Sequence, residues 1–233
     1  MTDALDFTAT LAEAARTINQ PRSMEETLEV IADTARHSIP GFDDVGISLM
    51  HSDGKIETKA ATGDLVWELD ALQYDLDEGP CVSSLREEPV IVVDHLRHAQ
   101  RWPQFVPQAL KLGLKSQMAL RLYVDEHGTM GGINLYSTSR EDIEPHAPHM
   151  AQVFAAQAAV ALGHAQELDQ LQQALESRQA IGQAVGIIIE RYKLDQHAAF
   201  NFLARLSQHS NTKLRDIAAS VVADAIATGK QDK

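Results

Sequence analysis

Cysteine is almost missing from this 233-residue chain. Cys81 stands alone, so no internal disulfide can form, and the frameworks of small disulfide-stapled secreted domains are excluded. Long hydrophobic runs are missing too. The most apolar stretch, AQVFAAQAAVALG, is too short to span a bilayer and carries Gln152 and Gln157. No basic run precedes the apolar residues of MTDALDFTATLAEAAR, which argues against a secretory signal. Cations are outnumbered, with 20 Lys+Arg against 33 Asp+Glu, and aromatic residues make up only 5%. No proline follows Pro148. These absences lead us to expect a soluble cytoplasmic protein with no membrane partner.

What is present fits an ordinary globular composition, 44% hydrophobic and 23% charged, in a chain long enough for two domains. The charge is unevenly spread. Residues 1–165 hold 12 Lys+Arg against 25 Asp+Glu, a difference of −13, whereas residues 166–233 hold 8 of each. The acidic part repels nucleic acid and anionic lipid, and the C-terminal part does not, so we expect two modules with different work.

The first 40 residues read as helix, turn, helix. Asp6 or Thr8 is a candidate cap for a helix running to about Ile18, and Ser23 with Glu26 forms a capping-box signature for the next. Strand signals follow. Val45, Ile47 and Leu49 alternate, Asp53-Gly54 marks a hairpin, PVIVVDHL reads as a buried strand, and Met118, Leu120, Leu122 and Val124 alternate before the turn DEHG. The segments between, ATGDLVWELDALQYDLDEGPCVSSLREE and RHAQRWPQFVPQALKLG, read as polar, turn-rich connections. The pattern predicts an α+β domain with an antiparallel sheet flanked by helices.

From about Ile143 onward no strand signal remains. Met150, Val153, Val160, Leu168, Leu171 and Leu175 form an apolar seam at three- and four-residue steps, a long coiled-coil-like helix. Two readings of the seam stand: pairing with the same helix of a second subunit, which we favour, or folding back on its own domain. In SRQAIGQAVGIIIERY, Ile181, Val185, Ile188 and Tyr192 form a helical core stripe. Gly182 and Gly186 interrupt it, each at about 1 kcal/mol relative to alanine. They leave a bare strip of backbone for close helix packing or for something else to approach, with packing weighed slightly higher. Asp195 is a candidate N-cap for a helix whose face is Ala199, Phe202, Leu203 and Leu206. Asn211 is one for a last helix whose face includes Leu214, Ile217, Ala218 and Val221.

The residues of this C-terminal part resemble an ANTAR domain, the RNA-binding output module of bacterial transcription antiterminators. Three linked motifs between about Leu168 and Ala227 carry the resemblance: SR-x-x-IGQA-x-G, D-x-x-AAF-x-x-L-x-R-L-S and N-T-KLRD-IA. The family usually has lysine where this chain has Val185. The N-terminal part, through DEGPCVSSLREEPVIVVDHLRHAQRWPQF and GLKSQMALRLYVDEHGTMGGINLYS, resembles GAF domains of the kind joined to ANTAR in actinobacteria. Together these imply a GAF sensor domain over residues 1–165, with its closing helix from about 143, then a three-helix ANTAR bundle over 166–228 and a tail over 229–233.

The resemblance implies RNA contacts at Arg178, Gln183, Gly186, Arg205, Ser207, Asn211, Lys213 and Arg215. On charge alone, exposed arginines on a helical bundle need no ligand. Lys213 and Arg215 also lie near a helix N-terminus, which favours phosphate, while N-capping explains Asn211 equally well. Tyr192, Phe200 and Phe202 are the aromatics available for base stacking, and a core role is the better explanation of both phenylalanines.

In the sensor part, Cys81 and Trp102 are candidate contacts for an unidentified small-molecule ligand, although a small buried residue at a loop-to-helix junction explains Cys81 better. No cofactor is implied. One cysteine is too few for GAF-type sulfoxide reductases, and the CH pair of bilin-binding relatives and the NKFDE signature of cyclic-nucleotide-binding ones are absent. The pairs His95/His98 and His146/His149 lack the partners of a metal site. No Ser/His/Asp arrangement or phosphate-cradling loop is present, so no catalysis is expected.

The leading expectation is a signal-responsive antiterminator that binds tandem hairpins in mRNA leaders as a homodimer. A helix-turn-helix DNA-binding factor ranks below it, because the junction from Leu206 to Leu214 is long for that turn and AASVVADAI offers few base-reading side chains. A sensor or scaffold with a degenerate RNA site is the third reading.

Overall fold

The computed structural model describes residues 2–20, 22–51, 53–123 and 130–231, and it divides into two compact units, Met1–Glu167 and Leu168–Lys233. In the first unit, α1 (Thr2–Ile18) begins upstream of both Asp6 and Thr8, so neither is its N-cap. The capping box of α2 (Met24–Ser38) forms as the sequence predicts. The Glu26 amide donates to Ser23 Oγ at 3.2 Å and the Ser23 amide to the Glu26 carboxylate at 3.1 Å.

Five strands, β1 (Asp44–Met50), β2 (Ile56–Ala61), β3 (Val90–Val93), β4 (Ser116–Tyr123) and β5 (Met130–Ser137), form one antiparallel sheet in the order β2-β1-β5-β4-β3. The β1–β2 hairpin turns at Gly54, whose φ of 84° suits a residue without a side chain, and its amide donates to the His51 carbonyl at 2.9 Å. Val124 and the expected Asp125–Gly128 turn lie outside the described residues. β3 is an edge strand with Val92 41% exposed, not the fully buried strand its β-branched run predicts.

The period-2 geometry of the strands gives the sheet two different faces. Val45, Ile47, Met118, Leu120, Leu122, Ile133 and Leu135 point to one side. There they bury against Ile18 of α1, Leu28 and Ile31 of α2, and Phe154, Ala158 and Leu162 of α6 (Ala147–Tyr192). Their neighbours Ser48, Gln117, Asn134 and Tyr136 point to the other side and are buried as well.

What covers that second side is the pair of segments that read as connections. They fold into α3 (Asp64–Leu76), α4 (Pro80–Arg86), a 3-10 turn at Leu96–His98 and α5 (Phe105–Lys111). Val66, Leu69, Leu96, Trp102, Phe105, Val106 and Ala109 form a second apolar cluster there. Each helix offers one short apolar patch, too brief to register as periodicity along the sequence.

The second unit contains the C-terminal part of α6, α7 (Gln196–Ser210) and α8 (Leu214–Gln231). Ala184, Val185, Ile188, Ala199, Leu203 and Ala218 are its buried core. Asp195 caps α7 as expected, accepting the Ala198 amide at 2.8 Å. Asn211 does not cap α8. It ends α7 with a φ of 50°, its amide donating to the Ser207 carbonyl, because asparagine tolerates the left-handed conformation that closes a helix. Since α7 runs to Ser210, the turn to α8 is Asn211–Lys213, much shorter than the sequence estimate.

Three further expectations are corrected here. Phe200 and Phe202 are not core residues, being 41% and 38% exposed, and Tyr192 leaves the stripe at 53% exposure. The glycines are not packing devices within the chain, since a Cβ at Gly182 or Gly186 would meet no atom within 4 Å. Of the apolar seam, Met150 is buried against its own unit, whereas Val160, Leu168, Leu171 and Leu175 are 49–62% exposed.

Candidate functional site

In the second unit, the candidate contacts fall into separate places. Gln183 and Gly186 face a groove of about 830 Å³ whose other wall is Val222, Ala225 and Ile226 of α8. Arg178 lies two turns earlier on α6, exposed. Ser207, Asn211, Lys213 and Arg215 gather at the α7–α8 turn, and Arg205 projects from the last turns of α7.

Their availability differs. Among the described residues no carboxylate lies within ion-pair distance of Arg178, Arg191, Arg205 or Lys213, while Arg215 pairs with Asp216 at 3.5 Å and Lys193 with Glu190 at 2.5 Å. Ser207 Oγ donates to the Thr212 carbonyl at 2.6 Å. Its proton is therefore engaged in closing the turn, leaving only lone pairs for a ligand. Val185 is buried in the helical core at 8% exposure, so a lysine here would have to carry its ammonium out of an apolar environment.

The first unit holds a feature that the residue patterns did not reveal. Between the polar face of the sheet and α3 and α4 lies a buried layer of hydrogen-bonding side chains around Asp70. Thr58 Oγ1 donates to Asp70 at 2.7 Å, Asn134 Nδ2 at 3.3 Å, and the Tyr136 hydroxyl also donates to it. Gln73 Nε2 donates to Tyr136 at 3.0 Å, Tyr74 meets Ser48 at 2.7 Å, and Asn134 Nδ2 approaches Cys81 Sγ at 3.1 Å. Asp70 is fully buried with no cationic partner among the described residues. Burial raises its carboxyl to about 6, against the hydrogen bonds that favour the carboxylate.

The two ligand candidates are not brought together. Cys81 faces this layer, fully buried, and burial together with the Asp70 charge pushes its thiol up to about 12. Trp102 belongs to the apolar cluster, where its indole donates to Ser83 at 3.1 Å and Arg101 lies 5.2 Å from its ring. Among the described residues, Gln117 Oε1 and Asn134 Oδ1 are buried acceptors without a hydrogen-bond partner. The signal that could have found this layer is the run of polar residues at alternate strand positions, Ser48, Gln117, Asn134 and Tyr136, which resembles an ordinary solvent face. Among the described residues no group of three His, Cys, Asp or Glu side chains could hold a metal ion, and no helix is long and apolar enough to cross a membrane.

Comparison with known proteins agrees with this division. The GAF domain model matches residues 21–163 and the ANTAR domain model matches residues 169–222. No curated protein matches the chain. Among solved structures, the GAF domain of an Acinetobacter phosphoenolpyruvate-protein phosphotransferase is similar at 15% identity and a TM-score of 0.53, covering 69% of this chain and 94% of its own. A free methionine-R-sulfoxide reductase from Neisseria meningitidis, solved with its substrate, is similar at 11% identity and 0.56, covering 70% and 91%. The photosensory core of a Stigmatella aurantiaca phytochrome is similar at 12% identity and 0.59, covering 87% of this chain but 45% of its own. The chain spans 42% of a bacteriophytochrome from R. palustris, again under half of that protein. At such identities these likenesses show the fold alone. A GAF domain, a sensor type, therefore precedes an ANTAR domain, an RNA-binding antitermination type, and the chain belongs to the GAF family as a GAF–ANTAR protein.

Proposed function

We propose that this GAF–ANTAR protein is a signal-responsive regulator that binds hairpin RNA in mRNA leaders as a homodimer and acts by transcription antitermination. The observation that carries this reading is the ANTAR match at residues 169–222, directly behind the GAF match. Arg178, Arg191, Arg205 and Lys213, with no carboxylate within ion-pair distance among the described residues, can meet phosphate without breaking an ion pair, which is compatible with this reading. The exposed Leu168, Leu171 and Leu175 of α6 support a homodimer, because a helix seldom presents three leucines to water at three- and four-residue steps without a partner. A small molecule bound against the Asp70 layer is the proposed signal. In this reading the first unit senses and does not catalyse, in keeping with its one thiol being buried and pushed up to about 12, where it is a poor nucleophile.

One observation favours the DNA reading. The three-residue turn Asn211–Lys213 is the length a helix-turn-helix uses. Against it, beyond Arg215 at its start the exposed side chains of α8 include Asp216, Ala219, Ala223 and Asp224, which offer little to a base edge or a phosphate. Gel-shift titration of the full chain against tandem-hairpin RNA and duplex DNA separates the two. Tighter binding to the RNA is expected, and preference for the duplex would overturn the proposal.

A further inference from the structure

The second unit has three aromatic side chains, Tyr192, Phe200 and Phe202, and none of them is in its core. The core is already closed by small and aliphatic residues from α6, α7 and α8. Tyr192, at the end of α6, and Phe202, one turn and a half into α7, lie against each other in the open. Their ring centroids are 5.7 Å apart and the planes are tilted by 36°. Leaving aromatic surface in water forgoes stabilisation that burial would supply, so the pair invites a partner.

The surroundings indicate which kind. Arg205 is three residues and Leu206 four residues beyond Phe202, hence on the same side of α7. Arg191 precedes Tyr192 but lines the groove against α8, away from the ring pair, since successive helical residues do not share a side. Neither arginine has a carboxylate within ion-pair distance among the described residues, whereas Lys193, next in the chain, is neutralised by Glu190. An apolar protein surface would gain nothing from the uncompensated guanidinium of Arg205 beside the rings. A single-stranded nucleic acid would gain from rings and cation alike: a nucleotide has a base face for the rings and a phosphate for the guanidinium.

We propose that Tyr192 and Phe202 form a stacking site for an unpaired nucleobase of RNA, with Arg205 holding a flanking phosphate. The site rests on the RNA-binding reading and deepens it. It places single-stranded contacts at the α6–α7 end of the bundle, where only Arg205 belongs to the contacts that the family resemblance implies.

The test uses the full chain and a fluorescein-labelled two-hairpin RNA whose loops are selected from a randomised pool. A matched RNA carries abasic nucleotides in the loops. Tyr192→Leu and Phe202→Leu keep apolar bulk and remove the ring face; Tyr192→Phe keeps the ring. Each leucine variant is expected to bind the intact RNA about 5- to 150-fold more weakly, the range of one stacked base, while Tyr192→Phe binds like the parent. On the abasic RNA the parent and the leucine variants should bind alike. Circular dichroism and sedimentation check fold and assembly, and the two exposed positions give independent variants. Unchanged binding of both leucine variants would overturn the site, as would equal losses on both RNAs or a loss that tracks a change in assembly. If the parent binds neither RNA, the RNA-binding reading itself falls, and the stacking site with it.

Discussion

At the scale of single residues, Asp70 places an acid where the fold supplies no base. Its folded-state carboxyl titrates near 6 because of burial, above the ordinary 3.8, so the folded chain holds the proton more tightly than the unfolded one. The resulting stabilisation is complete below the unfolded value and is lost as pH rises through about 6. The gap corresponds to about 3 kcal/mol at most. Asp70→Asn keeps an acceptor for Tyr136 and removes the charge. Urea denaturation across this interval should show a midpoint that falls with rising pH in the parent and stays nearly flat in the variant, with the variant the more stable at pH 7.5. The same layer shows where sequence patterns mislead. Ser48, Gln117, Asn134 and Tyr136 have the polarity of a solvent face, yet all four are buried. Alternation reveals that a strand has two sides, and only the coverage by α3, α4 and α5 decides whether the polar side is wet.

At the scale of elements, the long helix and the paired strands were readable because their periods run over many residues. β1, β4 and β5 each keep their apolar alternation for most of a strand, and α6 holds helical spacing over 46 residues. α3, α4 and α5 escaped because each is short and its apolar patch is met by polar neighbours. Tyr192 and Phe202 misled in the opposite direction: periodicity reports which side of a helix is apolar, not whether the partner helices are wide enough to cover it. Gly182 gives a direct test on α6. A methyl group there would meet open space, and alanine favours the helix by about 1 kcal/mol, so Gly182→Ala should raise the thermal midpoint of the full chain by a few degrees. If the midpoint falls, an unseen neighbour occupies that strip. Further up the helix, Leu171→Gln with Leu175→Gln removes two exposed leucines and leaves the core untouched. Sedimentation equilibrium should show a dimer for the parent and a weaker association for the double variant. A parent that sediments as a monomer would remove the homodimer from the proposed function.

At the scale of the whole molecule, the charge is divided between the two units. The part up to residue 165 carries a formal −13, and the remainder is balanced. A chain charged in this way gains little from non-specific attraction to phosphate, so affinity for RNA must come from shape and from stacked bases. Each neutralised single-strand phosphate adds about −0.7 to the salt slope. With Arg178, Arg191, Arg205 and Lys213 as the cations without a carboxylate partner among the described residues, the slope per protomer should be shallow, about −3 or less in magnitude, when binding is titrated against potassium chloride. A much steeper dependence would mean that backbone attraction, not loop recognition, dominates. The sealed position of Cys81 has a practical consequence on this scale. A thiol that is fully buried and pushed up to about 12 leaves the exterior without a competing reactive sulfur. One cysteine introduced at an exposed site away from the α6 seam, such as Lys111, can therefore accept a spin label, dye or crosslinker at one known position per chain. The natural sequence already serves as a clean background for distance spectroscopy.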